Sequence, residues 1–404
     1  MMFNNKLKLN FGVENMAKAR LVKNKELRVE YGHPWIFRSD IESVTGQVKP
    51  GDVVEVYSYK KRFLGKGYYN PASQITIRML TRQDEDIDKD FLYKRILSAW
   101  EYRKRVADPN SCRVIFAESD FLPALIVDKF SDILVLQTLA LGIDRYKNDI
   151  VEILQDIIKP RGIFERNDVP VRELEGLPQQ KGFLSEPFDT QVLMTENGVK
   201  FLVDVENGQK TGFFLDQKEN RAAIKPLVKD GRVLDCFSHT GSFALHAAHY
   251  GAKDVIGIDI STHAVECAQR NATLNQLEGV ARFEEANVFD ALRTYSDRKE
   301  RFDTVILDPP AFAKTRSAIE GAVRGYKEIN LRAMKILNEG GFLVTCSCSQ
   351  HVDNGLFMDT IYEAALDAKK TLRLLEFRTQ AKDHPILLSA GETQYIKCMI
   401  LQVF

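Results

Sequence analysis

Four apolar runs in the second half of the chain each end on residues able to grip a polar ligand. In VLDCFSHTGSFALHAA a strand pattern closes on Asp235 and Phe237, a short loop reaches Gly241, and a helical pattern begins. A loop glycine lets backbone approach a ligand, and a helix N-terminus offers unpaired N–H groups. VIGIDIS ends on Asp259 and Ile260, where a carboxylate can accept hydrogen bonds from both hydroxyls of a ribose. ARFEEANVFDAL brings Asn287 and Val288 to the same edge, an amide and an apolar side chain able to hold an adenine ring, and TVILDPP delivers Asp308, Pro309 and Pro310. Nucleoside binding is the expected chemistry. The single loop glycine departs from the GxGxxG fingerprint of dinucleotide enzymes, which makes a hydride-transferring oxidoreductase the poorest reading.

A fifth run, GGFLVTCSCS, ends on two thiols, Cys346 and Cys348, separated by Ser347. On an extended strand their side chains point the same way. A thiolate is the side chain suited to covalent addition; the competing reading is a pair of small hydrophobes finishing a core strand. Just before the first of these strands, VENGQKTGFFLDQKENR couples a turn at Asn207 and Gly208 to Phe213, Phe214, Asp216, Gln217 and Arg221, a cluster that could close over a ligand or simply begin a capped helix.

Positioning these ends requires a parallel sheet. From about residue 218 the pattern alternates helix and apolar strand, which predicts a doubly wound, Rossmann-like α/β domain over 191–404. Upstream, short strands punctuated by Gly32, Gly46, Gly51 and Pro71 predict a small β-barrel over 18–83. A helical run beginning near residue 84, with Phe91, Ile96, Leu97 and Trp100 on one face, opens a central α+β module over 84–190. Residues 1–17 show no period and read as a loose arm.

Charge is uneven along the chain. Lys+Arg and Asp+Glu both total 56, yet residues 1–82 hold 15 basic against 7 acidic residues, an excess of +8. Lys60, Lys61, Arg62 and Lys66 could track a phosphate backbone, unless they are only a solvated face. No run approaches the roughly 18–20 apolar residues of a membrane span, and the N-terminus lacks a signal peptide's apolar core, so a cytoplasmic location without membrane partners is expected. The six cysteines form no CxxC pair, so no metal is expected.

The strand-end residues resemble the motifs of class I methyltransferases in order. With GHPWIF, QKTGFFLDQ, DPPAFAK and VTCSCS, the chain resembles, over nearly its whole length, the RlmI (YccW) family of 23S ribosomal RNA cytosine-5 methyltransferases. The resemblance implies a PUA-like RNA-binding barrel, a small connecting domain, S-adenosyl-L-methionine as cofactor with S-adenosyl-L-homocysteine as product, and ribosomal RNA as partner. It places the nucleophile at Cys348; related RNA enzymes use a TCS triplet, here Thr345–Ser347, which keeps Cys346 as the alternative. Asp308 would orient the base, and Lys314 or Arg316 would hold RNA phosphate. Cytosine C5 is too weak a nucleophile unless a thiolate first adds at C6, and the base must be unstacked to be reached. Two alternatives stay open: methylation elsewhere, such as guanine N7, and a non-catalytic RNA-binding assembly factor. The sequence is compatible with a homodimer and does not identify the base that removes the C5 proton; His351 reads as a loop residue.

Overall fold

The computed structural model describes residues 16–404, so the arm read at 1–17 lies almost wholly outside the described residues. The chain folds as an N-terminal six-stranded curled sheet, a central five-stranded sheet, a linking hairpin and a C-terminal seven-stranded sheet. In the first, Val54 and Val56 of Val53–Tyr57 turn inward beside Ala19, Leu21 and Ile36, the period-two burial that a one-sided sheet imposes.

The helix Lys89–Val106 leads into the central module. Asp88 caps it by accepting a hydrogen bond from the Phe91 amide at 2.9 Å, and its buried stripe is Phe91, Leu92, Ile96 and Trp100. Leu92, one turn before Ile96, completes the stripe in place of Leu97, which is only half-buried. The strands Ser111–Phe116, Leu125–Phe130 and Ile133–Thr138 follow as antiparallel neighbours, and Gly162–Asn167 adds in parallel. The hairpin Gln191–Glu196 with Val199–Asp204 joins this sheet to the next through one continuous core, in which Phe130 and Phe164 share a cluster with Phe201, Val233 and Phe243.

Across the C-terminal sheet the strands run Ala281–Glu285, Asp254–Asp259, Arg232–Cys236, Phe302–Leu307, Leu337–Ser347, Lys397–Val403 and Leu372–Arg378. The first five are parallel, as alternation with helices requires. The sheet is nonetheless mixed: Lys397–Val403 inserts antiparallel between its two neighbours. The chain returns from Leu372–Arg378 without a crossover helix, and such a return can pair only in reverse. The reversal of strand order beside Arg232–Cys236 opens a crevice at the carboxyl edge. No helix among the described residues is long and apolar enough to cross a membrane.

Candidate functional site

The crevice has a volume of about 350 Å³ and takes residues from every strand end singled out above. Its floor is the loop after Arg232–Cys236, where Phe237, His239 and Gly241 adopt φ of +65°, +50° and +82°. Two non-glycine residues in the left-handed region within one loop represent stored strain, which gathers at ligand-binding turns. At Gly241 a side chain is excluded twice over: by φ and by Phe283, whose Cζ would lie 2.8 Å from an added Cβ. The helix Ser242–His249 starts there.

Asp235 is buried beneath this loop. Its Oδ2 accepts from the Ala244 amide at 2.9 Å, capping the helix, while its Oδ1 is buried without a protein partner, as are Ser238 Oγ and Thr240 Oγ1. Asp259 accepts from the amides of His239 and Ser261 at 2.9 and 3.0 Å, and with the exposed Ile260 it lines the crevice. Asn287 and Val288 line the far wall. The Asn287 Oδ1 caps the helix Val288–Asp297 through the Phe289 amide at 2.9 Å, leaving its N–H groups for other partners.

Asp308 and Pro309 form the opposite lip. Gln217 Nε2 donates to Asp308 Oδ1 at 2.9 Å, and Cys348 lies with its Sγ 3.7 Å from the Pro309 carbonyl oxygen. Burial, and then the charge of Asp216, push the Asp308 carboxyl up to about 6. Burial and then Asp308 push the Cys348 thiol up to about 11. For Asp216 burial opposes ionisation, but Lys210, His384 and the Tyr395 hydroxyl, 2.6 Å away, outweigh it and hold that carboxyl below its ordinary value. Asp235 is raised well above the carboxylate range by burial, with Asp308 and Asp259 adding to the rise. An edge whose buried carboxylates raise one another, and which leaves acceptors unpartnered, suits a ligand that brings positive charge.

The two cysteines separate. Cys346 is fully buried in the core opposite Cys398, whereas Cys348 lines the crevice. The strand ends at Ser347, so the period-two rule that would align both thiols lapses one residue too early. Other expectations need correction. Phe213 packs in the core against Phe201, ring centroids 5.0 Å apart, and its neighbour Phe214 takes the crevice wall. Arg221 spends its guanidinium on both oxygens of Glu196, at 2.6 and 3.0 Å, and on the Phe214 carbonyl at 2.7 Å, so it braces the wall rather than offering a donor. Lys66 is buried, with its ammonium 2.8 Å from Asp84 and 2.9 Å from the Glu85 carbonyl, because its strand runs through the barrel interior; it is no part of a basic face. Arg62 pairs with Glu30, while Lys60, Lys61, Lys314 and Arg316 are exposed. Lys210, Ser238, His239 and Phe289 also line the crevice without having been singled out. Lys210 lay inside the QKTGFF segment, and its φ of +53° is a signal only coordinates carry.

Residues 19–82 match the PUA-like domain family, and residues 180–388 match the S-adenosylmethionine-dependent methyltransferase family. The ribosomal RNA large subunit methyltransferase I of Tolumonas auensis is 41% identical over 389 residues, covering 95% of this chain and 98% of that protein. The protein of the same name from Vibrio cholerae is 43% identical over 391 residues, covering 94% and 98%. Among solved structures, a putative S-adenosylmethionine-dependent methyltransferase from Streptococcus mutans superposes with a TM-score of 0.81 at 19% identity, covering 96% of this chain and all of that one. A putative methyltransferase in complex with S-adenosylhomocysteine superposes with a TM-score of 0.83, also at 19% identity, covering 96% and 100%.

Proposed function

This chain belongs to the ribosomal RNA large subunit methyltransferase I family, and from that premise we propose that it makes 5-methylcytosine in large-subunit ribosomal RNA through a covalent bond between Cys348 and cytosine C6. S-adenosylmethionine, the cofactor of the family, supplies an electrophilic methyl group. The crevice residues fit it: the unpartnered Ser238 hydroxyl suits its ammonium, Asp259 its ribose, and Asn287 with Val288 its adenine, with Asp235 buried beneath the loop that carries Ser238.

One observation carries the cytosine reading. Among the described residues Cys348 is the cysteine on the crevice wall, beside Asp308, while Cys112, Cys236, Cys346 and Cys398 are buried elsewhere. A methyl transfer to guanine N7 has no use for a thiol there. Cys348 ionises more readily once positive charge enters the crevice. Its sulfur then bonds C6, and the electron pair displaced from the C5–C6 double bond is accommodated by protonation at N3. Asp308, its carboxyl pushed up to about 6 by burial and Asp216, takes the thiol proton as Cys348 ionises and passes it to N3. After C5 gains the methyl group, a base takes the C5 proton, the freed electron pair restores the C5–C6 double bond and expels the thiolate, and N3 returns its proton to Asp308. The PUA-like barrel, with Lys60 and Lys61 exposed, would hold RNA, and Lys314 and Arg316 would meet phosphate near the lip.

The test is mass spectrometry of the protein incubated with S-adenosylmethionine and ribosomal RNA fragments carrying 5-fluorocytosine, in which fluorine cannot leave as a proton does. The expected result is an RNA adduct in wild type and Cys346→Ala that disappears in Cys348→Ala. Methylation of ordinary RNA with no adduct in any variant would overturn the cytosine reading in favour of N7 or amine methylation.

A further inference from the structure

Beside the cofactor crevice lies a second cavity, of about 560 Å³, into which all three modules project. Each contributes a half-buried aromatic ring: Trp35 from the barrel, Phe116 from the central sheet and Phe214 from the catalytic domain. Lys210, Asp216, Phe214 and Cys348 line both this cavity and the crevice, so the two spaces meet at the thiol.

The rings are fixed in advance. The Trp35 indole N–H donates to Glu118 at 2.8 Å, and His33 packs edge-on against it at 5.7 Å. Phe116 has the Arg113 guanidinium 5.5 Å from its centroid and the tilted His384 ring at 5.2 Å. Phe214 carries the Lys210 ammonium 4.8 Å from its centroid and His239 edge-on at 5.2 Å. Bridges between modules hold the cavity open. Arg78 of the barrel meets Glu175 of the central module at 2.8 Å, and Arg28 meets Glu392 of the catalytic domain at 3.0 Å. A ring-lined cavity in the roughly 300–1,000 Å³ range of ligand sites that shares Cys348 and Lys210 with the cofactor crevice is placed to hold part of a substrate.

We propose that this junction cavity receives an unstacked nucleotide of the RNA substrate, with Trp35, Phe116 and Phe214 as stacking faces and Lys210 meeting its phosphate. Aromatic platforms with a nearby cation are how single-stranded RNA is held without its partner strand, and an extruded base must sit in such a pocket next to the reacting group. The inference rests on the RNA methyltransferase reading and adds to it: the barrel is a wall of the substrate pocket, not only a tether.

The experiment uses the chain's own fluorescence. It has two tryptophans, and Trp100 lies in the buried stripe of the helix Lys89–Val106, so a full-length Trp100→Phe variant reports on Trp35 alone. Large-subunit ribosomal RNA fragments should quench that emission, whereas S-adenosylhomocysteine alone should not. In the otherwise unaltered chain, Trp35→Ala and Phe116→Ala should each lower kcat/KM for RNA on the order of tenfold, with S-adenosylhomocysteine affinity within about twofold of wild type. Tyr362→Ala, an exposed aromatic elsewhere on the catalytic domain, should match wild type. Unchanged Trp35 emission at saturating RNA would overturn the proposal, and so would both alanine variants methylating at the wild-type rate. Quenching without methylation of cytosine would keep the pocket and remove the cytosine reading; methylation of cytosine without quenching would do the reverse.

Discussion

Within the central module and at its seam with the catalytic domain buried charges come in matched sets, whereas along the carboxyl edge of the catalytic sheet they do not. Arg103 is fully buried, yet it meets both oxygens of Asp120 and the carbonyls of Arg113 and Asp383. Arg113 meets both oxygens of Asp128 at 2.7 Å, and Arg172 joins Asp144 at 2.9 Å. At the catalytic edge burial lifts both Asp235 and Asp308 above the ordinary carboxylate range, with Asp308 adding to the rise of Asp235 and Asp216 to that of Asp308. Both regions are buried and polar, so burial alone does not mark a site. The mark is charge left unneutralised where a ligand can enter.

The contrast can be broken most forcefully at a matched set. Arg103→Ala leaves Asp120 and two carbonyls buried without their donor and should cost about 3–5 kcal/mol of stability, measured by urea unfolding. Asp308→Asn should do the opposite in kind, lowering turnover roughly a hundredfold or more while leaving stability at pH 7 equal or higher. The sign follows from linkage. A carboxyl raised from 3.8 to about 6 contributes stability that is fully present below pH 3.8 and is lost as pH rises through about 6, so the amide removes a cost borne at neutral pH.

The same shift governs the cofactor. Positive charge binds better beside an ionised Asp308, so affinity for S-adenosylmethionine should tighten roughly three- to tenfold between pH 5 and 7, and this dependence should shrink in Asp308→Asn. Titration calorimetry at both pH values checks it. The smallest effect distinguishes exposed from buried lysines. Lys314→Ala should reduce the slope of log affinity against log salt for RNA by about one, whereas Lys66→Met, with its ammonium already committed to Asp84, should leave that slope unchanged.

How far these contrasts were legible in the sequence follows from what each depends on. Asp259, Asn287 and Asp308 share an edge because alternating strands and helices force strand ends to one side, a consequence of local pattern. The sequence also carried the helix start at Gly241. It could not distinguish Phe213 from Phe214, since adjacent residues differ only in which side the backbone turns, nor show that Arg221 is spent on Glu196, a residue 25 positions away. Lys66 was misread because a charge does not declare its exposure: the neighbours that bury it come from the pairing of barrel strands. The last strand's reversal depended on the missing crossover helix, and the convergence of Trp35 and Phe116 on Cys348 depended on how three modules dock. Contacts of that kind leave no periodic trace.

The most direct test of the account is tritium release. RNA carrying tritium at cytosine C5 is incubated with the protein and S-adenosylmethionine, and released label is counted against methyl groups gained. The account predicts one tritium released for each methyl group incorporated, with neither event in Cys348→Ala. Methyl incorporation without tritium release, or release that survives Cys348→Ala undiminished, would contradict it.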